Sequence, residues 1–126
     1  MTKRVLLAED EPNIVVSLTF LLERAGFEVE VHDNGDDALQ AATTSPPDVM
    51  VLDVMMPGLD GFEVLRRLRS ETSDKTHLPV LILTAKGQSE DRETALKLGA
   101  DRFITKPFSN ADVVAAVHEL AGVSCA

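Results

Sequence analysis

Tryptophan and tyrosine are absent from this 126-residue chain, and five phenylalanines are its only aromatic residues. A bound flavin would find no indole or phenol to stack on. One cysteine is present, Cys125, beside the C-terminus, so neither an internal disulfide nor a thiolate metal cluster can form, which fits a reducing compartment. Basic residues are scarce, 12 against 21 acidic ones, and the formal net charge is -9. Such a surface repels nucleic acid and anionic lipid, because phosphate contacts need clustered Lys and Arg, and direct nucleic-acid binding is not expected. Long apolar runs are missing too. After Met1-Thr2-Lys3-Arg4 the run extends only from Val5 to Ala8, too short for a signal-peptide core or a membrane span. The expectation is a cytoplasmic, soluble protein with no membrane partner.

What is present is alternation. Hydrophobic residues make up 44% and charged residues 26%, ordinary for one globular domain, and no repeat, linker or low-complexity tract interrupts them. Apolar runs take turns with helical patterns, the mark of a parallel sheet with crossover helices, hence an α/β fold. The strands are read at Val5–Ala8, at Glu28–His32 (Val29 and Val31 apolar, an edge strand with one wet face), at Val49–Asp53, at Pro79–Thr84 and at Arg102–Thr105. The first helix carries Ile14, Leu18, Leu21, Leu22 and Ala25 on one face, and Gly26 stops it. Asp33-Asn34-Gly35 is a turn and cap before a helix with Ala38, Leu39 and Ala42. Phe62, Leu65 and Leu68 face inward on the third helix, after a Pro57-Gly58 turn, while Arg66, Arg67 and Arg69 read as a solvated face. The fourth helix, about Ser89 to Leu98, has only Ala95, Leu96 and Leu98 as anchors before Gly99. The last starts at Ser109, paired with Asp112 as a cap, and buries Val113, Val117, Leu120 and Ala121. His32, His77 and His118 are expected at the surface.

Open parallel sheets bind ligands at the carboxyl ends of their strands, at a topological switch point. Here the first strand ends in Glu9-Asp10-Glu11, the third in Asp53 and the fourth in Thr84, and the fifth leads to Lys106. The loop after the first strand holds acids and Pro12 where a phosphate-binding domain holds glycines, and neither G-x-G-x-x-G nor G-x-x-x-x-G-K-[ST] occurs. Crowded carboxylates call for a cation. A hard oxygen set suits Mg2+, or Mn2+, over zinc. A cation so held recruits a phosphoryl group, with one carboxylate as nucleophile, and Asp53 is the best placed, at the end of the central strand. The metal, Lys106 and the Thr84 hydroxyl would then each take one phosphoryl oxygen.

These residues carry a resemblance. Leu7-Ala8-Glu9-Asp10-Glu11-Pro12, the stretch Pro47 to Gly61, Ile82-Leu83-Thr84-Ala85 and Gly99 to Phe108 together resemble a response-regulator receiver domain of bacterial two-component signalling, along Val5 to about Leu120. The resemblance implies a flavodoxin-like (βα)5 fold, a doubly wound five-stranded parallel sheet in the order 2-1-3-4-5, and a single receiver domain over 1–126 with its core at about 4–121. It implies Asp53 as phosphoacceptor. Asp10, Asp53 and the Met55 carbonyl would ligate Mg2+, with Glu9 acting through water, and Thr84 and Lys106 would bind phosphoryl oxygens. Phe103 matches the aromatic that turns inward with Thr84, and Lys106-Pro107 matches a bond that is typically cis. The donor would be a histidine kinase or histidine phosphotransfer protein docking near the first helix. Phosphorylation would remodel the face made by the fourth helix, fifth strand and fifth helix and alter binding of a downstream protein. The domain would be a switch with its own self-phosphorylation and autodephosphorylation chemistry, not a classical enzyme.

The resemblance departs at three points. Glu9-Asp10 stands where the family often has Asp-Asp, Phe103 lacks a tyrosine hydroxyl, and Asp112 to His118 contains no Arg for the salt-bridged dimer of winged-helix receivers. Lys86, two residues past Thr84, is placed to modulate how water reaches the phosphoryl group. The Met55 and Met56 side chains read as loop filler. Alternatives are a receiver-like interaction module that is not phosphorylated, and a receiver fragment of a larger response regulator or hybrid kinase. A haloacid-dehalogenase-type phosphatase would need a second acid at position 55, which is Met.

Overall fold

The computed structural model describes residues 3–56, 58–71, 78–84, 89–105 and 109–122, with the side chains of residues 71, 84 and 89–92 outside the description. Five strands, β1 (Arg4–Ala8), β2 (Glu28–His32), β3 (Val49–Asp53), β4 (Val80–Thr84) and β5 (Arg102–Thr105), form one parallel sheet in the order β2-β1-β3-β4-β5. They alternate with α1 (Pro12–Arg24), α2 (Gly35–Thr44), α3 (Gly61–Glu71), α4 (Ser89–Lys97) and α5 (Asn110–Ala121). The chain leaves β1 for one edge, then returns past it to β3. The switch point therefore lies between β1 and β3, where adjacent crossovers run to opposite faces.

Period-two alternation along the buried strands feeds two separate cores. Leu6, Ala8, Met50, Leu52, Val80 and Ile82 pack with Ala38 and Ala42 of α2, Val64, Leu65 and Leu68 of α3, and Ala95 of α4. Val5, Leu7, Val49, Val51, Leu81 and Leu83 pack with Leu18 and Leu22 of α1 and with Val113, Ala116 and Val117 of α5. Every residue of β3 is buried, Asp53 included. Strands covered on both faces can be apolar throughout, which explains the unbroken runs in the sequence.

The helix ends follow local chemistry. Asn34 caps α2, its side chain accepting the Asp37 N–H at 2.8 Å, and Ser109 caps α5 by accepting from Ala111 at 3.2 Å. The α5 helix therefore begins one residue after Ser109. Gly26 has φ +101, a conformation open to glycine at little cost, and it turns the chain off α1. Ala25 is the C-cap of α1 and is exposed rather than part of its inner face.

Four further expectations are corrected. Val31 is 38% exposed, on edge strand β2, which has a neighbouring strand on one side only. Leu96 is 49% exposed, so α4 is anchored more thinly than its apolar residues imply, chiefly through buried Ala95. His118 is buried, its ring tilted at 58° against Phe27 with centroids 5.0 Å apart. The turn after α1 lays Phe27 on α5, a contact that the periodicity of α5 does not contain.

Arg69 does not share the solvated face of Arg66 and Arg67. Those two pair with Glu63 at the surface, and the hydrogen bond from Arg66 holds the Glu63 carboxyl down to about 2. Exposed pairs of this kind add little and are screened by salt. Arg69 instead turns inward with 17% of its side chain exposed. It donates to the Gly99 carbonyl at 2.8 and 3.0 Å, the Leu78 carbonyl at 2.7 Å and the Asp101 carboxylate at 3.0 Å. Asp101 also accepts the Val80 N–H at 2.9 Å. One guanidinium thus ties the end of α3 to the start of β4 and to the turn between α4 and β5. Burial pushes the Arg69 pKa down, with Asp101 opposing the shift, but arginine stays charged at any working pH.

Candidate functional site

The C-terminal edge of the sheet gathers the acids. Register places Ala8 of β1 beside Leu52 of β3, so the residues that follow, Glu9 and Asp53, emerge at the same level on adjacent strands. Oxygens from Glu9, Asp10 and Asp53 all lie within 4.8 Å of one another. Glu9 is fully buried and Asp53 2% exposed, while Asp10 faces solvent.

A buried carboxylate needs hydrogen bonds to offset its lost hydration. Glu9 accepts the N–H groups of Asp10 at 3.1 Å and Glu11 at 3.2 Å, leading into α1, where the helix dipole also favours an anion. Its own N–H donates to the His32 carbonyl at 3.0 Å and so ties the β1 end to β2. Glu11 is the N-cap without a side-chain cap bond, and Pro12 opens the helix with the φ it already prefers. Asp53 accepts the Met55 N–H at 3.3 Å. Val54 N–H donates to the Leu83 carbonyl at 3.0 Å, holding the start of the loop after β3 against β4.

Beside these acids lies an open cleft of about 520 Å³ lined by Asp10, Val54, Met55, Met56 and Asp60. Met55 is 69% exposed on the loop while Met56 is buried in the core, so of the two methionines read as loop filler only Met55 stays at the surface. Asp60 also lines this cleft. It accepts the Glu63 N–H at 2.9 Å and caps α3, and its Asp-x-x-Glu spacing is the signal that marks it.

Thr84 closes β4, in register with Thr105, and its side chain lies outside the described residues. Lys106 and Pro107 lie outside them as well, as do Lys86 and His77. Phe103 is half-buried on β5 and packs against the core that α2, α3 and α4 share. The structure thus brings Glu9, Asp10, Asp53 and Met55 together, and places the end of β4 next to them through the Asp53–Leu83 register.

The donor set fits a hard divalent cation. Carboxylate oxygens at an open rim match the ligands of Mg2+ and Mn2+, and three carboxylates this close repel one another unless a cation or a proton stands between them. No helix among the described residues is long and apolar enough to cross a membrane.

Known proteins share this fold. The family model described as the response regulator receiver domain matches residues 5–118. The alkaline phosphatase synthesis transcriptional regulatory protein PhoP of Bacillus subtilis (strain 168) is 46% identical over 120 residues, which cover 95% of this chain and 49% of that protein. The chain spans about half the length of the curated relatives it matches. Among solved structures, the receiver domain of the Francisella response regulator 1452 is 35% identical with a TM-score of 0.88, covering 96% of this chain and 98% of that one. The receiver domain of sensor histidine kinase PA1611 from Pseudomonas aeruginosa PAO1, solved with magnesium in its active-site cleft, is 27% identical with a TM-score of 0.85, covering 97% of this chain and 99% of that one. This chain belongs to the response-regulator receiver domain family of two-component signalling.

Proposed function

We propose that this domain is a phosphorylation-dependent switch that takes a phosphoryl group on Asp53. The convergence of the Glu9, Asp10 and Asp53 carboxylates at the switch point of the sheet carries this reading. An Asp53 oxygen forms a bond to phosphorus as the N–P bond of a donor phosphohistidine breaks, and the imidazole leaves with the electron pair and takes up a proton. Water attack on the acyl phosphate returns the carboxylate and releases inorganic phosphate. Asp10, Asp53 and the Met55 carbonyl would hold Mg2+ or Mn2+, with Glu9 acting through water. When bound, the ion supplies charge neutralisation for the carboxylates and for the incoming phosphoryl oxygens. Thr84 and Lys106 are the proposed partners of the remaining phosphoryl oxygens.

The test is intact mass after incubation with acetyl phosphate, with Mg2+ and with a chelator. The expected result is a gain of one phosphoryl mass that requires the metal. A folded protein that takes up no phosphoryl group from acetyl phosphate or from any phosphohistidine donor overturns the proposal.

The donor would be a histidine kinase or histidine phosphotransfer protein, and α1 offers it a surface. Val16 is 69% and Phe20 59% exposed, four residues apart and hence on one face of a helix that starts directly after the acidic loop. Substituting glutamate at both positions should slow transfer from a phosphorylated histidine phosphotransfer protein at least tenfold. Uptake from acetyl phosphate, which needs no docking, should stay within twofold of wild type. Equal losses with both donors would remove α1 as the docking face.

The output is proposed at the α4-β5-α5 face. There Leu96 is exposed, Phe103 of β5 packs on the core beneath, and Arg102 of β5 pairs with Glu119 of α5 at 2.7 Å. A helix held by so little buried surface is cheap to displace.

A further inference from the structure

We infer that Gly35, the first residue of α2, is a positioning residue for the proposed metal and acceptor site, acting through the loop after β3. Gly35 is buried and helical, and its φ is not among the positive ones, so no unusual backbone conformation calls for glycine there. Glycine is also a poor helix former. The reason is steric. A Cβ at Gly35 would overlap the carbonyl oxygen of Leu59, with the Leu59 carbonyl carbon at 2.7 Å and its Cβ at 2.8 Å.

Neither side of this contact yields easily. The α2 helix is held by the Asn34 cap and by buried Ala38 and Ala42. Leu59 packs its side chain against the core between α2 and α3. The two ends of the loop are fixed as well. Met55 N–H bonds Asp53, and Gly61 N–H donates to the Val54 carbonyl at 2.9 Å. A Cβ at Gly61 would stand 2.5 Å from the Asp53 carbonyl oxygen and 2.8 Å from Val54 Cα. Between these ends the first turn of α2 sets the height of the loop: the Leu59 peptide rests on Gly35, and the Asp36 carboxylate lies over Gly58. A side chain at position 35 must push the Leu59 peptide away, and the displacement passes through Asp60 to Gly61, which stands against the Asp53 carbonyl and Val54. Loss of the support behind metal ligands typically weakens metal affinity by about ten- to a hundredfold.

This inference rests on the reading of Asp53 as a metal-binding acceptor, and the experiment separates the two. Mg2+ is titrated calorimetrically into the full chain as wild type, Asp53→Asn, Gly35→Ala and Leu59→Ala, with thermal melting of each in chelator. Wild type should bind and Asp53→Asn should bind at least tenfold more weakly; equal binding by both would sink the functional reading instead. Gly35→Ala should raise the Mg2+ Kd about tenfold. Its phosphoryl uptake from acetyl phosphate should return toward wild type at saturating Mg2+, a pattern that simple loss of stability does not produce. Leu59→Ala, which withdraws the side chain that seats the loop, should shift the Kd in the same direction by a smaller factor, and it decides the matter if Gly35→Ala does not fold. Mg2+ affinity within twofold of wild type in the folded variants overturns the assignment of Gly35.

Discussion

Replacing Asp53 with asparagine is expected to abolish phosphoryl uptake while the fold survives. The amide has the same shape as the carboxylate, so the buried position at the end of β3 is kept and its oxygen still accepts the Met55 N–H. What is lost is the nucleophile, since an amide oxygen carries no full negative charge to attack phosphorus. Mass spectrometry with acetyl phosphate and Mg2+ should show at least a hundredfold less modified protein than wild type. The metal response should fall with it. An ion that binds only the folded chain adds about 2.7 kcal/mol of stability at a concentration of about 100 times its Kd. Wild type should therefore melt several degrees higher in Mg2+, and Asp53→Asn should gain much less at the same concentration. Wild-type uptake in the variant would move the acceptor elsewhere, and Asp10 would be next in line as the exposed member of the cluster.

The largest stability loss from a single polar side chain is expected at Arg69. Truncation to alanine removes four hydrogen bonds, three to main-chain carbonyls and one to the Asp101 carboxylate, in a setting where only 17% of the arginine side chain meets water. Losing hydrogen bonds that involve a charged group costs about 1.5–3 kcal/mol, and the Asp101 left behind is 26% exposed and keeps the Val80 N–H. That is a large part of the roughly 5–15 kcal/mol that holds a domain folded. Urea denaturation should show it as a lower midpoint with little change in slope. Arg69→Lys should recover only part of the loss, because an ammonium cannot reach both carbonyls and the carboxylate with one planar fork. By contrast Arg66→Ala, at the exposed pair with Glu63, should cost well under 1 kcal/mol. Equal small losses at both positions would show that the Arg69 cluster contributes no more than a surface pair.

Legibility followed the range of the signal. The alternation of apolar runs and helical stripes named ten elements, and their order needed only the resemblance to become a sheet. Glu9, Asp10 and Asp53 were readable because strand ends in a parallel sheet share one edge, so position in the strand already implied proximity. Thr84 and Lys106 follow from the same logic, and their side chains lie outside the described residues.

The tertiary structure decided what no window of sequence contains. Arg69 looked like its neighbours Arg66 and Arg67, since all three follow the third helix's apolar positions. Its partner Gly99 is 30 residues away, and only the packing of α3 beside the turn before β5 turns it inward. His118 lay off the apolar stripe of α5 and is buried because the turn after α1 brings Phe27 onto it. Gly35 read as a turn glycine within Asp33-Asn34-Gly35, yet it is the first helical residue and its missing side chain is required by Leu59. Periodicity and strand position act along the chain and could be read from it. Close backbone approach, guanidinium reach and burial between helices arise between segments, and they exist only once the two layers have closed on the sheet.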